Sequence, residues 1–364
     1  MSALPRRGGG PVVLAIDGGN SKTDVAVVSA DGTLMGWRRG AGFQPSASGA
    51  APAVALLAGL VEDALREAGA PPVALVKACL ANADLPVEEE QLAAALAAHG
   101  WGPQVHVSND TFAVLRAGTR EPRGVAVVCG AGINCVGLLP DGRTARFLAL
   151  GELTGDWGGG GGLAREVMWH AVRAEDGRGP ATALAAAAAA HFGVPSALAV
   201  AEAVHLGSVP AARLHELAPV LFTVAEEGDE VALGLVARQA EEIVSLATIA
   251  LGRLGLHDQA ADVVLGGGVL TARQPLLLSA VTAGLRRSAP RSRPVVLDTP
   301  PVVGAALLGL DDLASSGELT RSAVHAAEAR LRACFSASSP RDREPVRAAA
   351  GTPTDDPAGT PAPA

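Results

Sequence analysis

Three glycine corners in this chain each follow an apolar run. Val12 to Ile16 leads into Asp17-Gly18-Gly19-Asn20-Ser21-Lys22-Thr23, Val125 to Cys129 into Gly130-Ala131-Gly132-Ile133-Asn134, and Asp262 to Leu265 into Gly266-Gly267-Gly268. A turn of this kind at a strand end frees backbone N–H groups for phosphate oxygens, and glycine lets the ligand come close. The first corner is not a Walker A loop, because Ser21 rather than a glycine precedes Lys22. It still sets Ser21, Lys22 and Thr23 beside the acidic Asp17. Any one corner is more simply a plain strand turn; three, in this order and spacing, are harder to dismiss.

The elements that carry these corners follow from periodicity. Val12 to Ile16 and Val25 to Val28 read as strands, and Asp31-Gly32 turns the chain into Leu34 to Trp37. Val54, Leu57, Val61, Ala64, Leu65 and Ala68 recur at helical spacing, which predicts a helix over 53–68 ended by Gly69. A strand at Val73 to Leu80, a helix at Glu88 to Ala98 and a strand at Val105 to Val107 follow, the last running into Ser108-Asn109-Asp110-Thr111. The order of apolar strand, glycine corner with an Asn, apolar strand and Asp-Gly turn then repeats from Val125 to Gly142. A duplicated βββαβα unit, each copy giving one glycine loop to a shared cleft, is the simplest expectation. Further on, Leu163, Val167, Met168, Ala171 and Val172 mark one helix, and Val236, Ala240, Ile243, Val244, Ala247, Leu251 and Leu254 form a long stripe. That stripe is either core or a homodimer face. Val295 to Leu297 reads as a last strand and Val302 to Leu313 as a helix.

Composition excludes several classes. The chain has 364 residues, with 29 basic and 37 acidic side chains and a net charge of −8. A nucleic-acid partner, which normally needs a basic face, is not expected. Aromatics are 3 % and tyrosine is absent, so no stacking platform for bases or polymers is expected. Cys79, Cys129, Cys135 and Cys334 form no C-x-x-C pair and read as reduced and mostly buried. No apolar stretch reaches membrane length and no signal-peptide pattern opens the chain, so a cytoplasmic protein without a membrane partner is expected. Residues 1–10 read as a flexible lead. Residues 336–364, rich in Pro, Ala, Thr, Gly and charge, read as a disordered tail.

The run Ala15-Ile16-Asp17-Gly18-Gly19-Asn20-Ser21-Lys22-Thr23 resembles the first phosphate motif of the actin-like ATPase and sugar kinase superfamily. Val128-Cys129-Gly130-Ala131-Gly132-Ile133-Asn134 is similar to its second phosphate motif, and Val264-Leu265-Gly266-Gly267-Gly268-Val269 to its adenosine motif. Within the superfamily, Asn109-Asp110 and Gly151-Glu152-Leu153-Thr154-Gly155-Asp156-Trp157-Gly158 resemble the N-acetylglucosamine kinase branch, grouped with the BadF/BadG/BcrA/BcrD ATPases. The likeness spans residues 12–313. It implies an α/β fold of two actin-like (ribonuclease H-like) lobes around a central cleft, with residues 11–112 in the first and 113–313 in the second. It also implies phosphorylation of a small-molecule sugar by ATP with Mg²⁺, N-acetylglucosamine at its 6-hydroxyl being the leading acceptor.

By this resemblance, ATP contacts fall to Gly18, Gly19, Asn20, Ser21, Lys22, Thr23, Gly130, Ala131, Gly132, Asn134, Gly266, Gly267 and Gly268. Asp110 matches the base that takes the proton of the attacking hydroxyl; otherwise it only caps the helix Thr111 to Leu115. Asp17 would hold Mg²⁺ through water, or else merely form the turn before Gly18. Lys22 would offset phosphate charge, and Asn134 either donates to a phosphate or caps its own turn. The sugar side takes Asn82, Asp84, Asn109, Asp110, Glu152, Gly155 and Asp156, amides and carboxylates that suit paired hydroxyls.

Two departures from the family pattern lie on that side: Gln44 where relatives carry an Asn, and Trp157 followed by five glycines. Rival readings are a kinase for glucosamine or N-acetylmuramic acid and a non-catalytic sugar sensor. A reductase-activating ATPase of the same group would need cysteines for a bridging iron–sulfur cluster, and no suitable pair is present.

Overall fold

The computed structural model describes residues 10–45 and 49–336. The expected flexible lead is thus outside the described residues apart from Gly10. Of the expected tail only Ser336 is described, and it closes a helix.

The first unit opens with three antiparallel strands, β1 (Val12–Gly18), β2 (Lys22–Ser29) and β3 (Leu34–Ala41). Helix α1 (Ala50–Glu67) leads to β4 (Leu75–Leu80), and α2 (Pro86–Ala97) to β5 (Gln104–Asn109). The sheet order is β3-β2-β1-β4-β5, with β4 parallel to β1 and β5 parallel to β4. β1 and β4 are buried along their whole length, as the continuous apolar runs predict for strands covered on both faces.

Helix α3 (Asp110–Gly118) joins this unit to its repeat. Strands β6 (Gly124–Cys129), β7 (Ile133–Leu138) and β8 (Thr144–Arg146) form the second meander. A helical stretch follows: α4 (Gly159–Glu175), α5 (Leu184–Phe192), α6 (Ala197–His205), α7 (Leu217–Glu226) and α8 (Glu230–Arg253). Then come β9 (Ala261–Gly266), the short α9 (Gly268–Thr271), α10 (Pro275–Ser288) and β10 (Ser292–Val296). The second sheet runs β8-β7-β6-β9-β10, the same order and the same pattern of antiparallel and parallel neighbours as the first. The duplicated α/β architecture expected from the repeated pattern is the one observed. The stripe on α8 is core: Val236, Ala240, Ile243, Ala247 and Leu251 are all buried.

The two sheets are joined by exchanged helices. α3 packs on β6 and β7 of the second sheet, whereas α11 (Pro301–Ser315), which closes the second unit, packs on β1 and β4 of the first. The two helices cross so closely that a Cβ on Gly304 would lie 1.9 Å from the Ala113 carbonyl oxygen. A last helix, α12 (Arg321–Ser336), follows α11 and was not anticipated from sequence.

Arg116 on α3 is buried where these helices meet. Its Nε donates to Asp311 at 2.7 Å, Nη2 to Glu328 at 3.0 Å and Nη1 to the Thr119 carbonyl at 3.0 Å. A guanidinium out of water is tolerable only when paired this fully. All four cysteines are free, and burial pushes the Cys79 and Cys129 thiols up to about 12, which keeps them unreactive. No single helix among the described residues is long and apolar enough to cross a membrane.

Candidate active site

A cleft of about 790 Å³ opens between the two sheets, at the carboxyl ends of β1, β4, β5, β6 and β9. This is where parallel α/β sheets commonly bind ligands. All three glycine corners reach it. Its lining includes Asp17, Gly19, Asn20, Ser21 and Lys22 from the first corner, Gly130, Ala131, Gly132 and Asn134 from the second, and Gly267 and Gly268 from the third. Asn82, Asp84, Asn109 and Asp110 complete one end, and Thr271 with Leu297 to Pro301 the other.

The first corner is a tight turn in which Gly19 N–H donates to the Lys22 carbonyl at 2.9 Å. Gly42 lies against it; a Cβ there would be 2.1 Å from the Asn20 carbonyl oxygen. Gln44 Nε2 donates to that same oxygen at 3.2 Å, and Asn82 Nδ2 donates to Asn20 Oδ1 at 3.1 Å. Gln44 therefore braces the corner from outside the cleft lining. Asn82 sits at φ 60°, a left-handed conformation that Asn tolerates better than most residues. Thr23, grouped with the ATP contacts by resemblance, is fully buried and does not line the cleft. The alternation of β2 turns Lys22 outward and the next side chain inward. Gly18 and Gly266 likewise stand behind the lining: a Cβ on Gly18 would meet Leu80 at 2.7 Å, and one on Gly266 would meet Val114 at 2.5 Å.

Asn109, not Asp110, caps α3. Its Oδ1 accepts from the Thr111 N–H at 3.0 Å. The Asp110 carboxylate, one residue on, faces the cleft. Burial pushes it up to about 6, while the N–H groups at the helix start pull the other way. Asp17 is raised well above the ordinary carboxylate range, first by burial and then by the charges of Asp110 and Asp24; Lys22 and Arg39 oppose this. Asp24 is held by Arg39 in a two-pronged pair at 2.8 and 2.9 Å, and Arg39 also lines the cleft. Arg39 was missed in the sequence, although a signal was present. Asp24 and Arg39 stand equally far from the Asp31-Gly32 turn, so the hairpin sets them opposite one another.

At the polar end, Asp84 Oδ1 accepts from Asn109 Nδ2 at 2.8 Å and from Asn134 Nδ2 at 3.4 Å. The end of β5 and the start of β7 thus converge on one carboxylate in the loop after β4. Burial, then the charges of Glu88 and Asp110, push Asp84 up to about 7; Arg146 lowers it and Asp156 raises it. Asn134 lines the cleft, and its Oδ1 accepts from the neighbouring Cys135 N–H at 2.7 Å. Arg146, on β8 of the second sheet, donates to the carbonyls of Ala83 and Asp84 at 3.2 and 3.3 Å and pairs with Glu89 at 2.9 Å. It ties the second sheet to the loop that carries Asp84. Asp156 accepts from Thr154, and Glu152 is exposed and paired with Arg165 at 3.1 Å. Neither these two nor Gly155 lines the cleft.

The glycine run after Trp157 belongs to the second corner rather than to the sugar end. α4 begins within it, and the Gly160 and Gly161 N–H groups donate to the Gly130 and Ala131 carbonyls at 2.7 and 2.9 Å. A Cβ on Gly159 would lie 2.5 Å from the Gly132 backbone, so only glycine allows this approach. Trp157 points away: its Nε1 donates to Glu166 at 3.0 Å and Arg238 stacks over its ring. At the third corner Gly267, at φ 82°, crosses against Cys129, where a Cβ would be 2.4 Å from the backbone.

The cleft therefore combines backbone corners suited to phosphates, the carboxylates of buried Asp17 and half-buried Asp110, and an amide-rich end. An N-acetyl-D-glucosamine kinase of Dictyostelium discoideum is 24 % identical over 208 residues, covering 56 % of this chain and 65 % of that protein. The match thus spans just under two thirds of that relative. An N-acetylmuramic acid/N-acetylglucosamine kinase of Clostridium acetobutylicum is 22 % identical over 260 residues, 71 % of this chain and 85 % of that one. A crystal structure from Chromobacterium violaceum, assigned as an N-acetylglucosamine kinase, superposes with a TM-score of 0.63 at 22 % identity, covering 82 % of this chain and 99 % of that one. The family model of the BadF/BadG/BcrA/BcrD ATPases matches residues 14–309, and the chain belongs to that family.

Proposed function

We propose that this protein is an ATP-dependent amino-sugar kinase, with N-acetylglucosamine as its acceptor and the 6-hydroxyl as the attacking group. The observation that carries the reading is Asp110. Asn109 caps the helix, and the neighbouring carboxylate lines the cleft at the helix start, held by backbone N–H groups there. With its carboxyl raised to about 6, it is ionised at neutral pH yet basic enough to accept a proton. As the sugar oxygen bonds to the γ-phosphorus, its proton passes to Asp110 and ADP leaves.

The donor set suits Mg²⁺. Asp17 offers a carboxylate beside Asp110 and Asp24, and their mutual repulsion is what a divalent cation would relieve. Magnesium keeps several waters and binds through one or two carboxylates plus phosphate oxygens, so a single first-corner aspartate is enough. When bound, the ion would neutralise charge on the phosphates. Asp84, Asn109 and Asn134 would orient the sugar hydroxyls, and a cytoplasmic location would supply the ATP.

The test is ADP release from Mg-ATP with N-acetylglucosamine, glucosamine, N-acetylmannosamine, N-acetylmuramic acid, glucose or no sugar. Turnover with N-acetylglucosamine well above the no-sugar rate is expected. Silence across the panel, with ATP still bound, would replace the kinase reading with that of a sugar sensor.

A further inference from the structure

Gln239 is a fully buried polar residue on α8, in the helix stripe that otherwise packs the core of the second unit. Its Oε1 accepts from the Gly159 N–H at 2.9 Å, at the very start of α4. Its Nε2 is buried with no hydrogen-bond partner. An unpaired buried amide nitrogen is costly, and an apolar side chain of the same length would fill this space without that cost. Gly158, at φ 111°, lies flat over the amide; a Cβ there would be 2.2 Å from Gln239 Oε1.

The first three N–H groups of α4 are thus all committed. Gly159 donates to Gln239, Gly160 to the Gly130 carbonyl and Gly161 to the Ala131 carbonyl. A helix start normally leaves such groups for solvent or a ligand. The peptide bond is planar and trans, so a carbonyl and the N–H of the next residue point in opposite directions. With the Gly130 and Ala131 carbonyls turned toward α4, the Ala131 and Gly132 N–H groups point away from it, on the side where both residues line the cleft.

We infer that Gln239 is a positioning residue for the nucleotide phosphates: it fixes the first turn of α4, which orients the second corner's N–H groups toward the cleft. The inference rests on reading the cleft as an ATP site. Gln239 itself touches no ligand, being buried behind the corner.

The experiment compares full-length wild type with Gln239→Met and Gln239→Glu by ATP titration without sugar, thermal melting and steady-state kinetics. Met keeps the length and removes both the acceptor and the orphan donor; Glu keeps the acceptor oxygen. For Gln239→Met the expected results are ATP binding weakened by about fivefold or more, an unchanged or raised Tm, and a sugar KM within about twofold. Gln239→Glu should restore most of the ATP affinity. Equal ATP affinity in wild type and Gln239→Met would overturn the inference. So would a Gln239→Met protein that does not fold, since the residue would then hold the fold rather than the loop, or a Glu variant as impaired as Met. Absence of ATP binding by wild type would instead remove the reading of the cleft on which the inference stands.

Discussion

The β1–β2 corner and the β6–β7 corner stand at equivalent places in two copies of one unit, and they are braced in different ways. The first combines peptide bonds, from Phe43 N–H to the Gly19 carbonyl at 2.9 Å and from Ala81 N–H to the Gly18 carbonyl at 2.7 Å, with side-chain amides: Gln44 and Asn82 both donate to Asn20. The second is held by peptide groups, the carbonyls of Gly130 and Ala131 receiving the first turn of α4. Backbone bracing demands glycine at several successive positions and leaves no slack. Amide bracing is adjustable, and it links the first corner to Asn82, a residue at the polar end of the cleft. Both corners reach the polar end, the first through Asn82 and the second through Asn134, but only the second is pinned by a run of glycines.

The largest effect is expected at the residue between the corners. Asp110→Asn should lower kcat by about 10³ while ATP and sugar binding stay within a few-fold, measured by titration and turnover. Binding lost together with turnover would mean that the aspartate shapes the corners instead of serving the reaction.

The pH dependence follows the same group. Asp110 acts as a base only when ionised, so kcat/KM should fall about tenfold per pH unit below its value of about 6 and level off above it. A profile still falling only below pH 4 would assign the proton transfer elsewhere.

The contrast between corners is broken most directly with alanine. Gly159→Ala places a Cβ 2.5 Å from the Gly132 backbone at φ 72°, whereas Gly19→Ala meets its nearest atom, the Lys22 carbonyl oxygen, at 3.4 Å. Gly159→Ala should weaken ATP binding by about tenfold or more, and Gly19→Ala by no more than about threefold. Equal losses at the two positions would erase the distinction between a corner pinned by glycines and one that is not. Asn82→Gly tests the adjustable side, because it keeps the left-handed backbone and removes the bond to Asn20. A rise of about fivefold in sugar KM, with ATP affinity less affected, is expected.

The smallest effect is on stability. Asp84 and Asp110 bind protons more readily in the folded chain than in the unfolded one, where their values are near 3.8. The nucleotide-free protein should therefore lose stability as pH rises from about 4 to about 7, with no further change from these groups above that. Asp84→Asn should raise Tm by a few degrees at pH 8 and leave it unchanged at pH 4. A Tm lowered at pH 8 would mean that the ionised Asp84 stabilises the fold through Asn109 and Asn134.

Much of the fold was legible because strand burial and glycine corners leave local marks. The order of corners, the hairpins and the helices on α1, α4, α8 and α11 could each be read within a short window. β8 could not, because three residues, Thr-Ala-Arg, carry no pattern. α12 escaped because its buried face holds Glu328 among Val324, Ala327 and Leu331, and that carboxylate is masked by Arg116 from another helix. At the candidate site, the residues sharing a corner were legible together, but their bracing was not. Arg146 and Gln239 act on partners far along the chain, Ala83 and Gly159 respectively, and nothing beside them in sequence marks either. Asp110 read from sequence as either base or cap, and nothing beside Asn109 marked it as the cap. Only the hydrogen bond to Thr111 assigns the cap to Asn109.

The exchange of α3 and α11 between the sheets bears on how the molecule could be divided. A cut in the exposed stretch at Arg120 and Glu121 would leave each fragment carrying a helix that belongs under the other's sheet. Neither half could bury its own sheet alone, and each supplies the missing cover of its mate. Co-expressed halves should therefore reassemble as obligate partners, which makes this interlobe loop a natural seam for a split reporter whose signal depends on both halves being made.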